Sequence, residues 1–416
     1  MKKLLFLSLA LCAVLPVAAA EDDAAFAFYK MQAQILPEKL SAQEKQLARS
    51  LGDNLGTWTL QYAEHENVPQ ALLLQSQLYI RAGAAGAAVV PLFKLQKMFA
   101  PKRIPEGVLD DAVAGLARDA QEPARRLFAS KERMSAGDDP EAKEADALYA
   151  LSQLSGRDFY APASAAFESF FARFPEYKEK DKVELWYGDL HRANRNFLAA
   201  ITQCQKVYQL YPDTPYRAAS MRLIGDIYAD MKDSAKAMNA YDQVLRDFPQ
   251  SSERGIVYKH MGMLEENNKQ YDTALVDYDQ AIKLLGTSPA AYEAYYGKAD
   301  VYLKTKNYAE AYTALHKTAD TFRQNEYRYV TPLIHAANVA KKYLKDEAKQ
   351  IQSLEKALLP YPKGARSAEI MYDLGAAYER QGQSAKAADL YRRLILANPT
   401  DKMASKAQTR LSRLEK

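Results

Sequence analysis

A period of 37 residues runs through the second two-thirds of the chain. Phe174-Pro175, Tyr211-Pro212 and Phe248-Pro249 stand 37 residues apart, and Tyr361-Pro362 and Asn398-Pro399 repeat that interval. The match continues inside each period. Gly225, Tyr228, Ala237, Tyr241, Val244 and Pro249 recur with the separations of Gly375, Tyr378, Ala387, Tyr391, Leu394 and Pro399. Gly188, His191, Ala200, Cys204, Val207 and Pro212 form another copy, and Leu151, Leu154, Ala163, Phe167, Phe170 and Pro175 an earlier one. Looser copies hold Gly262, Ala274, Tyr278 and Ala281, with Gly286 in the proline place, and then Ala299, Tyr302, Ala311, Leu315 and Thr318. The weakest lies between Thr331 and Pro362, where Leu354 and Ala357 still fit. A strict period of this size belongs to stacked units, each contacting its neighbours, rather than to one globular core.

The unit is a helical hairpin. Ala237, Tyr241 and Val244 are spaced four and three apart, one face of a helix. A small residue at Gly225 lets the first helix approach the second closely, and Ala237 accepts that approach. Tyr228 and Tyr241 fill the space between successive hairpins. Residues 230–234 are short and polar and join the two helices. The proline stops the second helix, because it lacks the amide donor and clashes with the preceding turn.

These positions resemble the tetratricopeptide repeat, over about residues 144–400 and in roughly seven units. The resemblance implies an all-α fold, a right-handed superhelical solenoid of helix-turn-helix repeats. The aromatic-Pro endings are similar to those of the exported bacterial branch of the family, which includes outer-membrane assembly proteins and the coordinator of the Tol-Pal system.

The N-terminal part is helical and less regular. Leu72, Ser76, Tyr79, Ala88, Leu92 and Leu95 keep the repeat spacing, with Pro101 near the expected end, as in a degenerate unit. Residues 105–134 read as a helix pair split near Glu122-Pro123. Residues 41–64 read as one long helix opened by a Ser41/Glu44 capping box. The stretch 135–140 (Ser-Ala-Gly-Asp-Asp-Pro) is the expected hinge between an irregular region, 21–140, and the repeat array, 141–416.

Residues 1–20 have a different character. Lys2 and Lys3, the apolar run 4–17 and Ala18-Ala19-Ala20 before Glu21 form the pattern of a secretory signal peptide. The run is too short to span a bilayer, which takes about 20 apolar residues. Cys12 follows Leu9-Ala10-Leu11, but Leu11 stands where lipid attachment requires a small side chain, so cleavage after Ala20 is the expectation. The destination is then the periplasm, with peripheral association with the outer membrane. Cleavage leaves Cys204 as a single thiol, so no internal disulfide forms.

Composition and motifs narrow the chemistry. Lys and Arg total 56 against 52 Asp and Glu, a balance that argues against a nucleic-acid partner. His65-Glu66 opens like a zinc-peptidase helix motif, but Pro69 stands where its second histidine is required. His191 and Cys204 fall on repeat core slots, which predicts a packed, hydrogen-bonded imidazole and a buried, inert thiol. No phosphate-cradling glycine loop and no Gly-x-Ser-x-Gly elbow occurs. Carboxylate pairs such as Asp138-Asp139 and Glu265-Glu266 read as loop or solvated acids. Most of the 28 tyrosines sit on core slots, the exceptions being Tyr296, Tyr372 and a Tyr327–Tyr329 loop pair. No catalytic group, cofactor or metal is expected.

Function is therefore expected on the concave groove that first helices line in such arrays. Arg192, Arg222, Asp226 and Lys259 lie on the face away from the core slots. So do Tyr296, Asp300, His335 and Tyr372. Their mixed charge points to no single strongly charged ligand, and the carboxylate-clamp arrangement of the resembled family is not visible. The resemblance implies a non-catalytic scaffold of a bacterial cell envelope, for outer-membrane assembly or a Tol-Pal-like role, gripping envelope proteins or extended peptides. Two alternatives are a peptidoglycan-acting enzyme or accessory subunit, with its active site in the irregular region, and a scaffold for exopolysaccharide or pilus export.

Overall fold

The computed structural model describes residues 22–63, 65–99, 104, 105, 107–129 and 140–415. The expected export segment with Cys12, Pro101, and residues 135–139 of the expected hinge, with Asp138-Asp139, lie outside them. Among the described residues all regular structure is helical, and no helix is long and apolar enough to cross a membrane. The chain divides into two compact units, Met1–Ile227 and Tyr228–Lys416.

In the first unit, α1 (Asp22–Ile35), α2 (Ala42–Gln61) and α3 (Val68–Arg81) share a core around Phe26, Leu51, Leu55, Trp58, Leu72 and Leu78. The capping box at the start of α2 is present: Ser41 Oγ accepts from the Glu44 amide, and the Ser41 amide donates to Glu44 Oε2 at 2.7 Å. A short 3₁₀ turn leads into α4 (Val89–Met98). The six positions that keep repeat spacing here, Leu72, Ser76, Tyr79, Ala88, Leu92 and Leu95, are all buried.

The next region differs from the sequence expectation. Its break falls at residues 115–117, between α5 (Val108–Ala114) and α6 (Arg118–Ala129), and Pro123 lies inside α6. Backbone contact decides this. A Cβ on Gly115 would stand 2.1 Å from the Gly86 nitrogen, so only glycine permits that approach. The Ala117 amide then donates to the Ser155 carbonyl at 3.0 Å, fixing the turn. Regular pairs follow, α7 (Pro140–Ser152) with α8 (Tyr160–Arg173) and α9 (Lys180–Ala193) with α10 (Phe197–Leu210), before α11 (Arg217–Asp230) crosses the unit boundary. Phe167, Phe170, Ala200, Cys204 and Val207, the slots read from the period, are fully buried.

The second unit holds α12 (Ser234–Asp247), then the pairs α13 (Glu253–Asn267)/α14 (Tyr271–Leu285) and α15 (Tyr292–Lys304)/α16 (Tyr308–Thr321). The pairs α17 (Glu326–Val339)/α18 (Glu347–Leu358) and α19 (Ser367–Arg380)/α20 (Ser384–Ala397) follow, closed by α21 (Lys402–Leu414). The packing rule is an aromatic ring between glycines. Tyr278 of α14 is fully buried. A Cβ on Gly262 would stand 2.9 Å from its ring, and one on Gly297, in the next first helix, 2.6 Å. The Tyr278 hydroxyl donates to Glu266 Oε2 at 2.6 Å, which satisfies its polar end. Tyr391 meets Gly375 in the same way, at 2.6 Å.

Each first helix ends in the same turn. Lys232, Lys269, Lys306 and Lys345 have φ between 56° and 66°, the left-handed region, and Gly382 has φ 74°. Asp346, after Lys345, reaches six back to Ala340 at 3.0 Å, while the residue after Lys232, Lys269, Lys306 and Gly382 donates to the carbonyl five residues back, as from Asn307 to Tyr302 and from Gln383 to Tyr378, both at 2.8 Å. This six-to-one bond is the Schellman closure, in which glycine is the usual left-handed residue. The weakest sequence copy is a complete pair whose turn is longer. A π-helical turn, Ala340–Leu344, precedes Lys345, so the left-handed residues stand 39 apart there instead of 37.

Two outcomes follow from these geometries. Lys269→Gly or Lys306→Gly raises the midpoint of chemical unfolding, by about 0.5–1 kcal/mol each, because a left-handed residue with a Cβ is strained. Gly375→Ala lowers it by about 1–3 kcal/mol through overpacking, and costs less in a Tyr391→Leu background, since the two sites share one contact.

Candidate interaction surface on the first helices

First helices present one face to the core and another outward, and the structure shows what the outward side chains touch. In the first unit, Asp226 of α11 is 3% exposed and pairs with Arg222 one turn away at 2.5 Å. Arg192 of α9 stands 3.8 Å from the same carboxylate. Asp189 joins this group; burial pushes its carboxyl up to about 6 while Arg222 and Arg192 pull it down. The three sequence-selected residues here thus form a half-buried charge cluster that joins two helices.

In the second unit the selected residues form a row across successive first helices. Lys259 of α13 is largely covered and lies 3.7 Å from Glu293 of α15. The Tyr296 hydroxyl of α15 is 2.8 Å from Nδ1 of His335 on α17, with the rings 5.8 Å apart. Burial lowers the His335 pKa, so the imidazole stays neutral near pH 7. Tyr372 of α19 accepts from Arg410 Nε of α21 at 3.2 Å. Asp300, one turn beyond Tyr296, is half-buried, and burial pushes it up to about 6, aided by Glu266 and opposed by Lys304.

Two sequence readings change. Tyr327 and Tyr329 are not a loop pair; both lie in α17, where Tyr327 is 68% exposed and Tyr329 is core, donating to the Lys356 carbonyl. Helical register separates the two, since residues two apart point to different faces. Glu265 and Glu266 are neither loop nor solvated acids. Both are half-buried in α13; Glu266 takes bonds from Tyr278 and Lys304, and Glu265 faces Asp277, whose carboxyl is pushed up to about 7 by burial and by Glu265. Glu293, Asp373 and Arg410 belong to the surface and were missed, because a single repeat does not show which residues of the next helix face them.

The two core-slot readings hold. His191 is 6% exposed, stacks on Tyr187 at 4.2 Å, and its Nδ1 is 2.9 Å from the Tyr160 hydroxyl. Cys204 is buried against Gly188, and burial drives its thiol far above the usual range. Among the described residues no three His, Cys, Asp or Glu side chains are placed to hold a metal ion.

Asp300 supplies a test. A carboxyl with a raised folded-state pKa stabilises the fold at low pH and loses that contribution as pH rises through about 6. Asp300→Asn therefore raises the thermal midpoint relative to wild type at pH ~7.5 and changes it little at pH ~4. Melting curves of both proteins at the two pH values measure the difference.

Comparison with known proteins matches this architecture. The tetratricopeptide repeat family model fits three segments, residues 182–250, 267–331 and 368–401. No curated protein matches the chain. Similar solved structures include a tetratricopeptide repeat protein from Parabacteroides merdae, 14% identical, covering 66% of this chain and 100% of that one, with a TM-score of 0.36. The C-terminal part of a repeat-containing protein from Cytophaga hutchinsonii is 16% identical, covering 63% and 97%, with a TM-score of 0.46. The pilF protein of Pseudomonas aeruginosa is 16% identical, covering 56% and 98%, with a TM-score of 0.38. With the 37-residue period, the helix pairs and the matched segments in agreement, this chain carries tetratricopeptide repeats over residues 182–250, 267–331 and 368–401, units that serve as protein-interaction scaffolds.

Proposed function

We propose that the protein is a non-catalytic scaffold of a bacterial cell envelope, exported by its first 20 residues and working in outer-membrane assembly or a Tol-Pal-like complex. The observation that carries the recognition role is the row Lys259, Tyr296, His335 and Tyr372. Successive first helices hold these aromatic and polar side chains in fixed contacts, at 2.8 Å between Tyr296 and His335. Such a row offers ring faces and hydrogen-bonding atoms to an extended segment crossing the repeats, the arrangement a rigid interaction surface needs. Tyr296 and His335 are bonded to each other, which suits recognition rather than turnover. The export segment has the charged start, short apolar run and small-residue triplet of a secretory signal.

Cell fractionation with intact-mass measurement tests the location. The expected result is a periplasmic or membrane-peripheral protein that has lost residues 1–20; a cytoplasmic protein that keeps them overturns it. Crosslinking in intact envelopes tests the surface. Tyr296→Ala combined with Tyr372→Ala is expected to remove most of the crosslinked partner while the helical signal and the thermal transition persist. Unchanged crosslinking refutes the assignment of this face.

A further inference from the structure

Lys94 of α4, in the first unit, is a buried cation with an incomplete set of partners. It is 9% exposed. Its Nζ lies 3.6 Å from Glu144 of α7, longer than a hydrogen bond. Glu144 is 1% exposed and already meets Arg173 of α8 at 2.9 Å. One buried carboxylate therefore serves two cations. The Lys94 ammonium carries three donors, and Glu144 is the one acid that it meets among the described residues. Burial pushes this ammonium below the ordinary lysine range; Glu144 opposes that effect and Arg173 adds to it. A buried charge short of partners is costly, and an anion brought to it recovers that cost.

Lys94 also lines open space. Helices α2, α3, α4 and α8 enclose a cleft of about 390 Å³ with Lys94 on its wall. Gln75, Tyr79 and Val90 line it as buried residues, and Arg49 and Asp53 as exposed ones. The α8 side is made of short side chains, Ala161, Pro162 and Ala165, which leave the space unfilled. The charges at the exposed edge are already engaged. Arg49 pairs with Asp158 at 3.0 Å, and Asp53 Oδ1 accepts from the Tyr79 hydroxyl at 2.9 Å. Gln75 Nε2 donates to that hydroxyl at 3.2 Å, which fixes the α2–α3 wall. The charges that act on Lys94 are Glu144 and Arg173, not Asp53. One surplus positive charge matches a monoanion better than a phosphate monoester, which carries about −1.5 to −2 near pH 7. At about 30 Å³ per water the space equals roughly a dozen waters, enough for a small organic ion.

We propose that this cleft binds a small aliphatic monocarboxylate, with its carboxylate on the Lys94 ammonium and its carbon chain against Val90, Pro91, Ala161 and Ala165. The cleft-lining residues all precede residue 182, where the first matched repeat segment begins, so the site is independent of the first-helix surface of the second unit. A charge-assisted contact made away from water supplies the affinity, and the short apolar walls set the size of the chain.

Isothermal titration calorimetry of the protein with hexanoate and with hexanamide tests this, the two probes having the same chain and differing in charge. Hexanoate is expected to bind at least about tenfold more tightly. Lys94→Met keeps the aliphatic stem and leaves Glu144 paired with Arg173 alone, so the fold is expected to persist, as its melting curve records. That variant is expected to lose about tenfold or more in hexanoate affinity. Ala165→Trp, at an exposed position on the cleft wall, fills the space and is expected to abolish binding. It leaves every buried charge in place, so it decides the question even if Lys94→Met unfolds. No binding of hexanoate, equal binding of hexanamide, or full affinity in either folded variant overturns the proposal.

Discussion

A buried aromatic ring clasped between glycines is the contact on which this architecture depends. Tyr278 lies against Gly262 of its own pair and Gly297 of the next, so one side chain sets both the closeness of a hairpin and the spacing of its neighbour. Both contacts lie below ordinary van der Waals distance for any added Cβ, so the small residue and the large one are specified together. Where the ring is replaced, the fold adjusts locally. Cys204 fills that slot opposite Gly188, and His191 supplies the aromatic surface one helix earlier by stacking on Tyr187.

The same packing decides where polar chemistry is displayed. With one stripe of every first helix given to the core, the outward stripe is repeated at each step, and side chains from adjacent repeats meet in a row. Most charges on that row are neutralised by the neighbouring helix, as Lys259 is by Glu293 and Lys304 by Glu266. Surface pairs of this kind add little stability, but they fix which charges are left for a partner. Position in the stack, more than composition, sets the electrostatic character of the face.

Much of the fold was legible because it is periodic. The spacing of Ala237, Tyr241 and Val244 identified a buried stripe, and the aromatic-Pro pairs marked where second helices stop; α10 and α12 end just before Tyr211-Pro212 and Phe248-Pro249. The break at residues 115–117 was hidden, because it depends on the Gly86–Gly115 backbone contact between segments distant in sequence, whereas Pro123 is a conspicuous local signal that the helix tolerates. The pair α17/α18 was blurred for a different reason: its turn is longer, which shifts later positions out of phase. For the surface, sequence placed Tyr296, His335 and Tyr372 in one column. It did not reveal that the first two bond to each other, because that depends on the neighbouring helix.

The π-helical turn at Ala340–Leu344 has a consequence for how such a chain can change. Two additional residues are accommodated at the crest of a hairpin, and His316 of α16 still meets Ser353 of α18 beyond it, Nε2 to Oγ at 2.9 Å. Crests therefore act as expansion joints: insertions there leave the rows of recognition side chains aligned, whereas the same two residues inside a helix would rotate everything after them. Loops of new length or sequence can be grafted at these crests while the neighbouring face continues to present its side chains in order.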